Sequence, residues 1–402
     1  MNLVLQRWLY AVCVLTDFAG FMVVFAVSRG LAEAKVAPWY LGLAGAGLSF
    51  SAGAGSILGG WLSHRLDGRF VFLTGAVALL VSILACGLGD SRRPEFLAGY
   101  WLLGIGLGFI YPPLIGWLNQ GADPHANRSG VSRTLILFCI AWNLGMLSGQ
   151  LSAGWLFSWG LPWTYGAALA AALVNLVLAG QAVRRVVPLL VEPSLLATPA
   201  REVQEIAALF KRLSWIANLG GMFGGSMVIH LLPDLAVAIG VPADDHGKLL
   251  AAWRAVIIAT YLVMHWTACW QYRVSTSLGS QLLAAIGLVV IARANSAGML
   301  LAGLALLGQL VGYNYFSGLF YSASGSSQRH RALAAGIHEA TLAAGMALGT
   351  FVGGLLATWW DQRVPYLLAA GFMLTLTTVQ LLAWRKWMPP VRSSPGDSTE
   401  SG

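Results

Sequence analysis

Charged residues are scarce in this chain of 402 residues. They make up 10% of the sequence against 57% for hydrophobic residues, whereas ordinary soluble domains are about 25% charged. So few charges cannot cover the surface of a soluble protein of this length. Apolar runs of about 20 residues recur along the chain, and each can cross a hydrocarbon layer about 30 Å thick. The alternation of a membrane β-barrel is absent, so we predict an all-α polytopic membrane protein.

Cysteine is also scarce, and the sequence has few motifs of catalytic chemistry. The four cysteines, Cys13, Cys86, Cys139 and Cys269, stand apart within or near predicted spans, so neither a disulfide framework nor a metal site is indicated. The segment "HEATL" lacks the second histidine of a zinc-protease motif, because Leu342 stands in its place. No phosphate loop or serine-base pair is found. We therefore expect no enzymatic activity, no catalytic residue, no metal and no organic cofactor.

The apolar runs predict twelve spans in two halves. The spans are 8–28, 38–61, 71–89, 96–118, 133–157, 162–182, 214–238, 247–268, 277–293, 297–321, 333–357 and 364–384. The predicted organisation is a six-helix bundle (1–183), a cytoplasmic linker (184–212), a second six-helix bundle (213–387) and a disordered cytoplasmic tail (388–402). A sensor or assembly protein of this shape would usually need a sizeable soluble domain, and the longest soluble stretch is under about thirty residues.

The basic residues predict how the chain is oriented. Sixteen of the 24 lysines and arginines fall on the side of the two termini and seven on the other, with Arg254 left inside a span. This bias predicts that both termini are cytoplasmic, in a multi-pass protein of the inner membrane. The first apolar stretch is too long for a signal peptide and contains Asp17, so we interpret it as a retained span. The basic residues are scattered, so we expect lipid and a small-molecule substrate as partners, no nucleic acid, and a monomer.

Two segments of ten residues repeat at an offset of 200. "GMLSGQLSAG" begins at Gly145 and "GMALGTFVGG" at Gly345, in the fifth span of each half. Glycines four apart share a helix face and let two helix backbones approach closely. The predicted interface glycines are Gly145, Gly149, Gly154, Gly345, Gly349, Gly353 and Gly354. Their paired placement predicts a duplicated six-helix unit, an arrangement in which a transport site lies between two halves.

The loop after the second span resembles a known family motif. "GGWLSHRLDGRF" is similar to Gly-x-x-x-Asp-Arg-x-Gly-Arg of the major facilitator superfamily, with one residue inserted and His64 in place of the aspartate. The resemblance to this family extends over nearly the whole chain, and it implies two pseudo-symmetric bundles. In the family this loop contacts the other half and gates the cytoplasmic side. The implied gating residues are Gly60, Arg65, Asp67, Gly68 and Arg69.

Two further positions bear on the subfamily. Proton antiporters of the family often carry Gly-x-x-x-Gly-Pro-x-x-Gly-Gly in the fifth span, which this chain matches at three glycines, with Gln150 for the proline and Ala153 for a glycine. This degenerate match favours export. Many antiporters also have an arginine four residues before a glycine of the fourth span. Tyr100 stands there, four residues before Gly104, so a proton relay through that arginine is excluded.

Two acids lie well inside spans, Asp17 and Glu339. An ionisable group at this depth costs about 3 kcal/mol or more, so each is a candidate for proton coupling. Asp17 lies near the midplane of the first span by helix rise. His338, seven residues before Gly345, shares the glycine face, whereas Glu339 is turned about 100° away from it. The alternatives are a structural acid for Asp17 and a packing role for His338.

Polar side chains of several spans are candidates for a substrate cavity. The resemblance implies that the first, fourth, seventh and tenth helices line it, and amides and aromatic hydroxyls there suit a neutral or amphipathic molecule. The candidates are Tyr111, Asn218, Ser226, His230, Arg254, Gln309, Tyr313 and Asn314. Arg254 needs an anionic partner, either a protein acid or the substrate. Tyr111 precedes Pro112 and Pro113, where we expect a helix break.

These observations predict a secondary active transporter of a small organic solute. We expect alternating access driven by a proton gradient, with export by antiport favoured. The alternatives are a proton-coupled symporter that imports a sugar-like or other small metabolite, and a facilitator without ion coupling.

Overall fold

The described residues form helices joined by short turns. The computed structural model describes residues 3–120, 133–186, 201–326 and 331–388. The helices of these ranges are α1 (Leu3–Glu33), α2 (Pro38–Leu62), α3 (Gly68–Leu88), α4 (Pro94–Gln120), α5 (Arg133–Phe157), α6 (Leu161–Val183), α7 (Arg201–His230), α8 (Leu232–Ala238), α9 (Ala243–Trp266), α10 (Val274–Arg293), α11 (Ala297–Ser324), α12 (Arg331–Trp359) and α13 (Val364–Trp387). A π-helical turn, Ser63–Asp67, joins α2 to α3.

The helices have the length and composition of membrane spans. Eleven of them are long and apolar enough to cross a bilayer, and α7 with α8 adds a bent pair that brings the number to twelve when counted as one span. The all-α prediction is therefore confirmed. Because α7 begins at Arg201, residues 201–212 of the predicted linker are helical. Residues 187–200 of that linker and 389–402 of the predicted tail lie outside the described residues.

The predicted seventh span is bent. The chain turns by 48° between α7 and α8, where Pro233 occupies the first turn of α8. Proline has no backbone N–H and disfavours helical geometry at the residue before it. The backbone N–H of Leu231 still donates to the carbonyl of Met227 at 2.8 Å. The helical hydrogen bonds of α7 therefore continue up to the residue at which the chain bends.

The predicted break at Pro112 and Pro113 is wrong. The helix α4 continues through both prolines to Gln120. The carbonyl of Gly108 loses its intrahelical partner at Pro112, and it faces Gly59 of α2, where an added Cβ would lie 2.9 Å from that oxygen. A glycine there lets the α2 backbone lie close to the freed carbonyl, so neighbouring packing accommodates the prolines.

The helices pack as two bundles with matching internal contacts. In the amino-terminal bundle the main pairs are α1 with α5, α2 with α4, α3 with α4, α1 with α6 and α3 with α6. Each has a counterpart in the second bundle: α7 with α12, α9 with α11, α10 with α11, α7 with α13 and α10 with α13. The bundles meet through α2 with α12 and through α5 with α9, which also form an equivalent pair. The two halves are therefore structural repeats, as the sequence predicted.

The repeated glycines hold the first helix of each bundle. A Cβ at Gly149 of α5 would lie 2.5 Å from the carbonyl oxygen of Phe18 of α1, and one at Gly349 of α12 would meet the equivalent carbonyl of Phe223 of α7. Two more glycines of these faces meet a backbone carbonyl, and a third meets side chains. Gly145 abuts Val14, Gly345 abuts Leu219, and Gly353 faces Met227 and Leu231. Backbone-to-backbone packing of this kind requires glycine.

The last glycine of each repeat contacts the opposite bundle. A Cβ at Gly154 would lie 2.7 Å from Cα of Gly247 on α9, and a Cβ at Gly354 would lie 2.7 Å from Cα of Gly42 on α2. Both contacts lie at the distal face, which we define as the face where α1 ends at Glu33. The opposite face, where α1 begins and α13 ends, is the terminal face. Two equivalent seams therefore close the bundles against each other at the distal face.

We predict that Gly149→Ala and Gly349→Ala each destabilise the fold by about 1–3 kcal/mol, because the added methyl group collides with a backbone carbonyl. Thermal unfolding of the purified protein in detergent measures the effect. The matched controls are Gly166→Ala and Gly371→Ala, where an added Cβ has no atom within 4 Å; these should be neutral or stabilising by up to about 1 kcal/mol. Equal losses in both pairs would contradict the packing role.

Candidate functional site

Two buried charged side chains face each other from opposite bundles. Asp17 of α1 is 1% exposed and Arg254 of α9 is 4% exposed. Asp17 lies fourteen residues into α1 and Arg254 eleven residues into α9, so both lie near the middle of their helices. Because buried ionisable groups are costly at this depth, their presence in one place makes this the candidate functional site.

Asp17 is held by groups of its own bundle. The hydroxyl of Tyr111 on α4 donates a hydrogen bond to Oδ2 of Asp17, and the side chain of Trp142 on α5 lies beside the same carboxyl group. A Cβ at Gly145 would lie 2.9 Å from Cβ of Asp17, so the glycine face of α5 brings these groups together. The site can hold the acid in place while it gains or loses a proton.

Arg254 has weaker polar contacts. Its Nε donates to Oε1 of Gln150 across the bundle interface at 3.4 Å, and its Nη2 is buried without a hydrogen-bond partner among the described residues. The guanidinium carbon lies 4.4 Å from the ring centre of Trp253 and 5.2 Å from that of Phe21 on α1. Asp17 is close enough to interact electrostatically, but no ion pair within 4 Å joins the two in the described part of the chain.

Aromatic and amide side chains connect the bundles beside these charges. The rings of Trp142 on α5 and Tyr315 on α11 lie 4.8 Å apart. Asn143 of α5 donates to the hydroxyl of Tyr261 on α9 at 3.3 Å, and the ring of Tyr261 lies 6.4 Å from that of Tyr315. The centre of the molecule is therefore a mixed aromatic and polar layer shared by both bundles.

Glu339 faces this layer from the side of the terminal face. Its side chain is exposed, yet it lies within electrostatic range of Cys139, Tyr261 and Tyr315, which belong to three different helices. An exposed side chain with these neighbours lies between the two bundles. The neighbouring His338 is buried instead, and its Nδ1 hydrogen-bonds the amide nitrogen of Asn218 at 2.8 Å.

Several other candidates lie inside the carboxy-terminal bundle rather than at this centre. Gln309 bonds the hydroxyl of Ser280 on α10 at 2.6 Å, and Asn314 donates to the carbonyl of Ala217 on α7 at 2.9 Å. Tyr313 lines a small pocket between α7, α10, α11 and α13. The structure does not bring these three residues to Asp17 or Arg254.

The candidates near the outer end of α7 belong to packed seams. The hydroxyl of Ser226 donates to the carbonyl of Phe223 at 3.0 Å, and a Cβ at Gly349 would lie 2.7 Å from it. His230 lies against Gly45 of the other bundle, where a Cβ would be 2.5 Å from the imidazole. Both are packing positions in this conformation.

The loop implied as a gate makes its described contacts with the amino-terminal bundle and with the start of the predicted linker. Arg65 stacks on Trp61 at 4.3 Å, and Arg69 donates to the carbonyl of Val186 at 2.7 Å. Asp67 caps the start of α3 by accepting from the backbone N–H of Arg69 at 2.8 Å, and α3 starts at Gly68. A Cβ at Gly60 would be 3.9 Å from Pro112 of the same bundle.

The contacts between the bundles are concentrated on the distal side. Arg29 donates to the carbonyl of Val241 at 2.9 Å, and the backbone N–H of Trp39 donates to the hydroxyl of Thr358 at 2.7 Å. Among the described residues, the cross-bundle hydrogen bonds and ring contacts run from this face to the level of Trp142 and go no further. In the described part of the chain, contacts therefore cover the central site on the distal side, and an approach from the terminal face meets no such contact.

Sequence reasoning missed the cross-bundle partners Trp142, Asn143 and Tyr261. Trp142 and Asn143 lie three and two residues before Gly145 of the repeat, which is the signal that could have found them. Gln150 was noted as the replacement for a motif proline, and the structure places it against Arg254. Its role depends on a contact between two distant helices, so no local pattern indicates it.

Comparisons with known proteins agree with this architecture. A family model described as Major Facilitator Superfamily matches residues 8–268 and 215–401. No curated protein sequence matched the chain. Solved structures with a similar fold include the POT family transporter PepTSo, with a TM-score of 0.77 at 11% identity, covering 96% of this chain and 99% of that one.

Two further solved structures share the fold. A bacterial homolog of the human lysosomal transporter Spinster, in an inward-facing and unoccupied conformation, has a TM-score of 0.72 at 15% identity and covers 96% of this chain and 98% of that one. The nucleoside transporter NupG has a TM-score of 0.68 at 15% identity and covers 96% and 100%. At these identities the likeness shows the fold alone.

We predict that Tyr111→Phe destabilises the protein by about 1–3 kcal/mol when Asp17 is ionised, since a buried carboxylate loses its hydroxyl donor. Thermal unfolding in detergent measures the loss. Tyr100→Phe is the matched control, because the Tyr100 hydroxyl is buried without a partner among the described residues, so its removal should be neutral or stabilising. If both variants unfold at the parent temperature, the hydrogen bond to Asp17 does not stabilise the fold.

Proposed function

This chain belongs to the major facilitator superfamily and has its transporter fold, and we propose that it is a proton-coupled secondary transporter of a small organic solute. In this proposal the two bundles rock about the central site and expose it to one face at a time. The observation that carries the proposal is the placement of Asp17 and Arg254, which come from opposite bundles and are buried at mid-depth beside an accessible Glu339. Burying ionisable side chains at this depth costs free energy, which favours a functional role for Asp17 and Arg254 over a purely structural one.

Proton coupling is assigned to Asp17 and Glu339. Asp17 is sealed among packed side chains, whereas Glu339 is open to the space between the bundles, so the two acids would exchange protons with different surroundings. His338 is the third candidate, although its hydrogen bond to Asn218 supports a packing role. Protonation of one acid would change the electrostatic balance at Arg254 and so link proton binding to solute binding.

The sequence supports a direction of transport and an orientation of the chain in the membrane. The excess of basic residues on the terminal side supports a cytoplasmic terminal face in the inner membrane, so the approach described above would be from the cytoplasm. The three matching glycines of the antiporter motif favour export. A symporter that imports a sugar-like or other small metabolite is the second candidate, because Gln150 departs from that motif and binds Arg254 instead.

We predict that Asp17→Asn and Glu339→Gln uncouple transport in reconstituted vesicles. Each variant removes a group that can carry a proton, so gradient-driven accumulation should fall to passive equilibration while solute exchange without a gradient persists. Uptake and efflux of a panel of labelled solutes, with and without an imposed pH gradient, measure both activities.

Glu95→Gln is the matched control, since Glu95 is exposed in the first turn of α4 at the distal face. It should keep the coupling of the parent. Unchanged proton dependence in both Asp17→Asn and Glu339→Gln would remove the coupling role of these acids, and a parent that never responds to the gradient would indicate a facilitator.

We also predict that a disulfide across the distal seam stops transport. In a Cys269→Ser background, Trp39→Cys with Thr358→Cys puts a cysteine at each of two positions that lie close across the seam, since the backbone N–H of Trp39 donates to the hydroxyl of Thr358 at 2.7 Å, and we expect oxidation to join them. Locking this seam prevents the central site from opening to the distal face, so transport should stop and return on reduction. The single-cysteine variants are the controls, and full transport by the oxidised double variant would argue against rocking at this seam.

A further inference from the structure

We propose that Arg254 anchors the negatively charged group of the substrate, and that the substrates are organic monoanions with an apolar or aromatic body. This inference rests on the proposed function and names the substrate class of the same site. Its starting point is Nη2 of Arg254, which is buried without a hydrogen-bond partner among the described residues, on a side chain that is 4% exposed. A buried guanidinium donor needs an acceptor.

The protein supplies no anion to this donor in the described conformation. Asp17 is the acid that acts electrostatically on Arg254. Its Oδ2 accepts from Tyr111 and its Oδ1 is buried without a partner among the described residues, but neither oxygen is within 4 Å of the guanidinium nitrogens. Gln150 is neutral and its contact with Nε is long, at 3.4 Å. The acceptor that completes the site is therefore expected from the ligand, and a carboxylate matches a guanidinium best in geometry and charge.

The charges around Arg254 limit the ligand to one negative charge. Asp17 already contributes electrostatically at this position, and Glu339 lies farther along the same interior space, toward the terminal face. A phosphate monoester with nearly two charges would be repelled by these acids once the first charge is bound. A carboxylate or sulfonate carries a single charge that Arg254 alone can balance.

The rings around the guanidinium indicate the rest of the ligand. Phe21 and Trp253 flank Arg254 at 5.2 and 4.4 Å, and Trp142 stacks near Tyr315 at 4.8 Å. Phe21 and Trp142 are only partly buried, so each leaves ring surface available to a molecule held at Arg254. Aromatic surface beside one fixed charge suits an amphipathic organic anion.

The test uses a matched series of small molecules on the purified full-length protein in detergent. 2-Naphthylacetate is the anion, 2-naphthylacetamide the neutral analogue and 2-naphthylethylamine the cation, with benzoate and octanoate as further anions. Isothermal titration calorimetry measures each affinity. We expect naphthylacetate to bind at least about tenfold more tightly than its amide, since a charge-assisted hydrogen bond to a buried arginine is lost in the amide.

The arginine variants identify the anchor. Arg254→Gln should bring the anion to the affinity of the amide, whereas Arg254→Lys should retain part of the preference. Arg93→Gln is the control, because the Arg93 side chain is 76% exposed at the distal face. A preference for the amide or the amine in the parent, an anion preference that survives Arg254→Gln, or no binding of any of the three anions would overturn the proposal.

Transport in vesicles separates this inference from the function on which it rests. If a neutral or cationic solute moves with the proton gradient and the anions do not, the substrate class is wrong while the transporter assignment stands. If the anions bind through Arg254 and no gradient drives them, the anchor stands and the coupled mechanism fails.

Discussion

Glycines on α5 and α12 let the backbones of four helices approach until carbonyl oxygens meet Cα atoms. Gly145 and Gly149 pack against the carbonyls of α1, and Gly345 and Gly349 pack against those of α7. In a bilayer the lipid tails are as apolar as the side chains, so helices associate through close packing rather than through hydrophobic burial. This contact fixes the register of the first helix in each bundle, and with it the depth of Asp17 beside Gly145.

Glycines of the same two helices also set the contacts between the bundles. Gly154 meets Gly247, and Gly354 meets Gly42, so the two seams are related by the symmetry that relates the bundles. Tight contacts at one end leave the other end free to separate, because a rigid bundle that tilts about a closed seam must open opposite to it. The position of the glycines therefore determines both where the central charges lie and at which face the two bundles are in close contact.

Much of the fold could be predicted from the sequence, because hydropathy, repeat spacing and charge bias each report a property of whole helices. The same signals do not fix how a buried helix is rotated. Residues 310–318 of α11 are all buried, so no polar face indicates which side chains meet the central space. Gln309, Tyr313 and Asn314 were expected there and instead pack within their own bundle.

The contacts that the sequence did not predict join helices that are distant along the chain. Gln150 with Arg254 and Asn143 with Tyr261 are contacts between helices about a hundred residues apart, in different bundles. Such pairs depend on how two separately packed units are placed against each other, which no local pattern encodes. Tyr111 was found as a candidate, but its partner Asp17 emerges only when α1 and α4 are placed side by side.

The differences between the two repeats argue that the central charges serve function. The glycine contacts align Asp17 with Met222 and Arg254 with Ser49, and Glu339 aligns with Cys139. Each charged residue thus has an uncharged counterpart in the other half, at a position that packs in the same way. Each bundle folds with an uncharged residue at one of these positions, Met222 in the carboxy-terminal bundle and Cys139 in the amino-terminal bundle, so packing alone does not require Asp17 or Glu339. The duplicated helices determine the packing, whereas Asp17, Arg254 and Glu339 each occur in only one half, between the two bundles, where burying an ionisable group costs free energy.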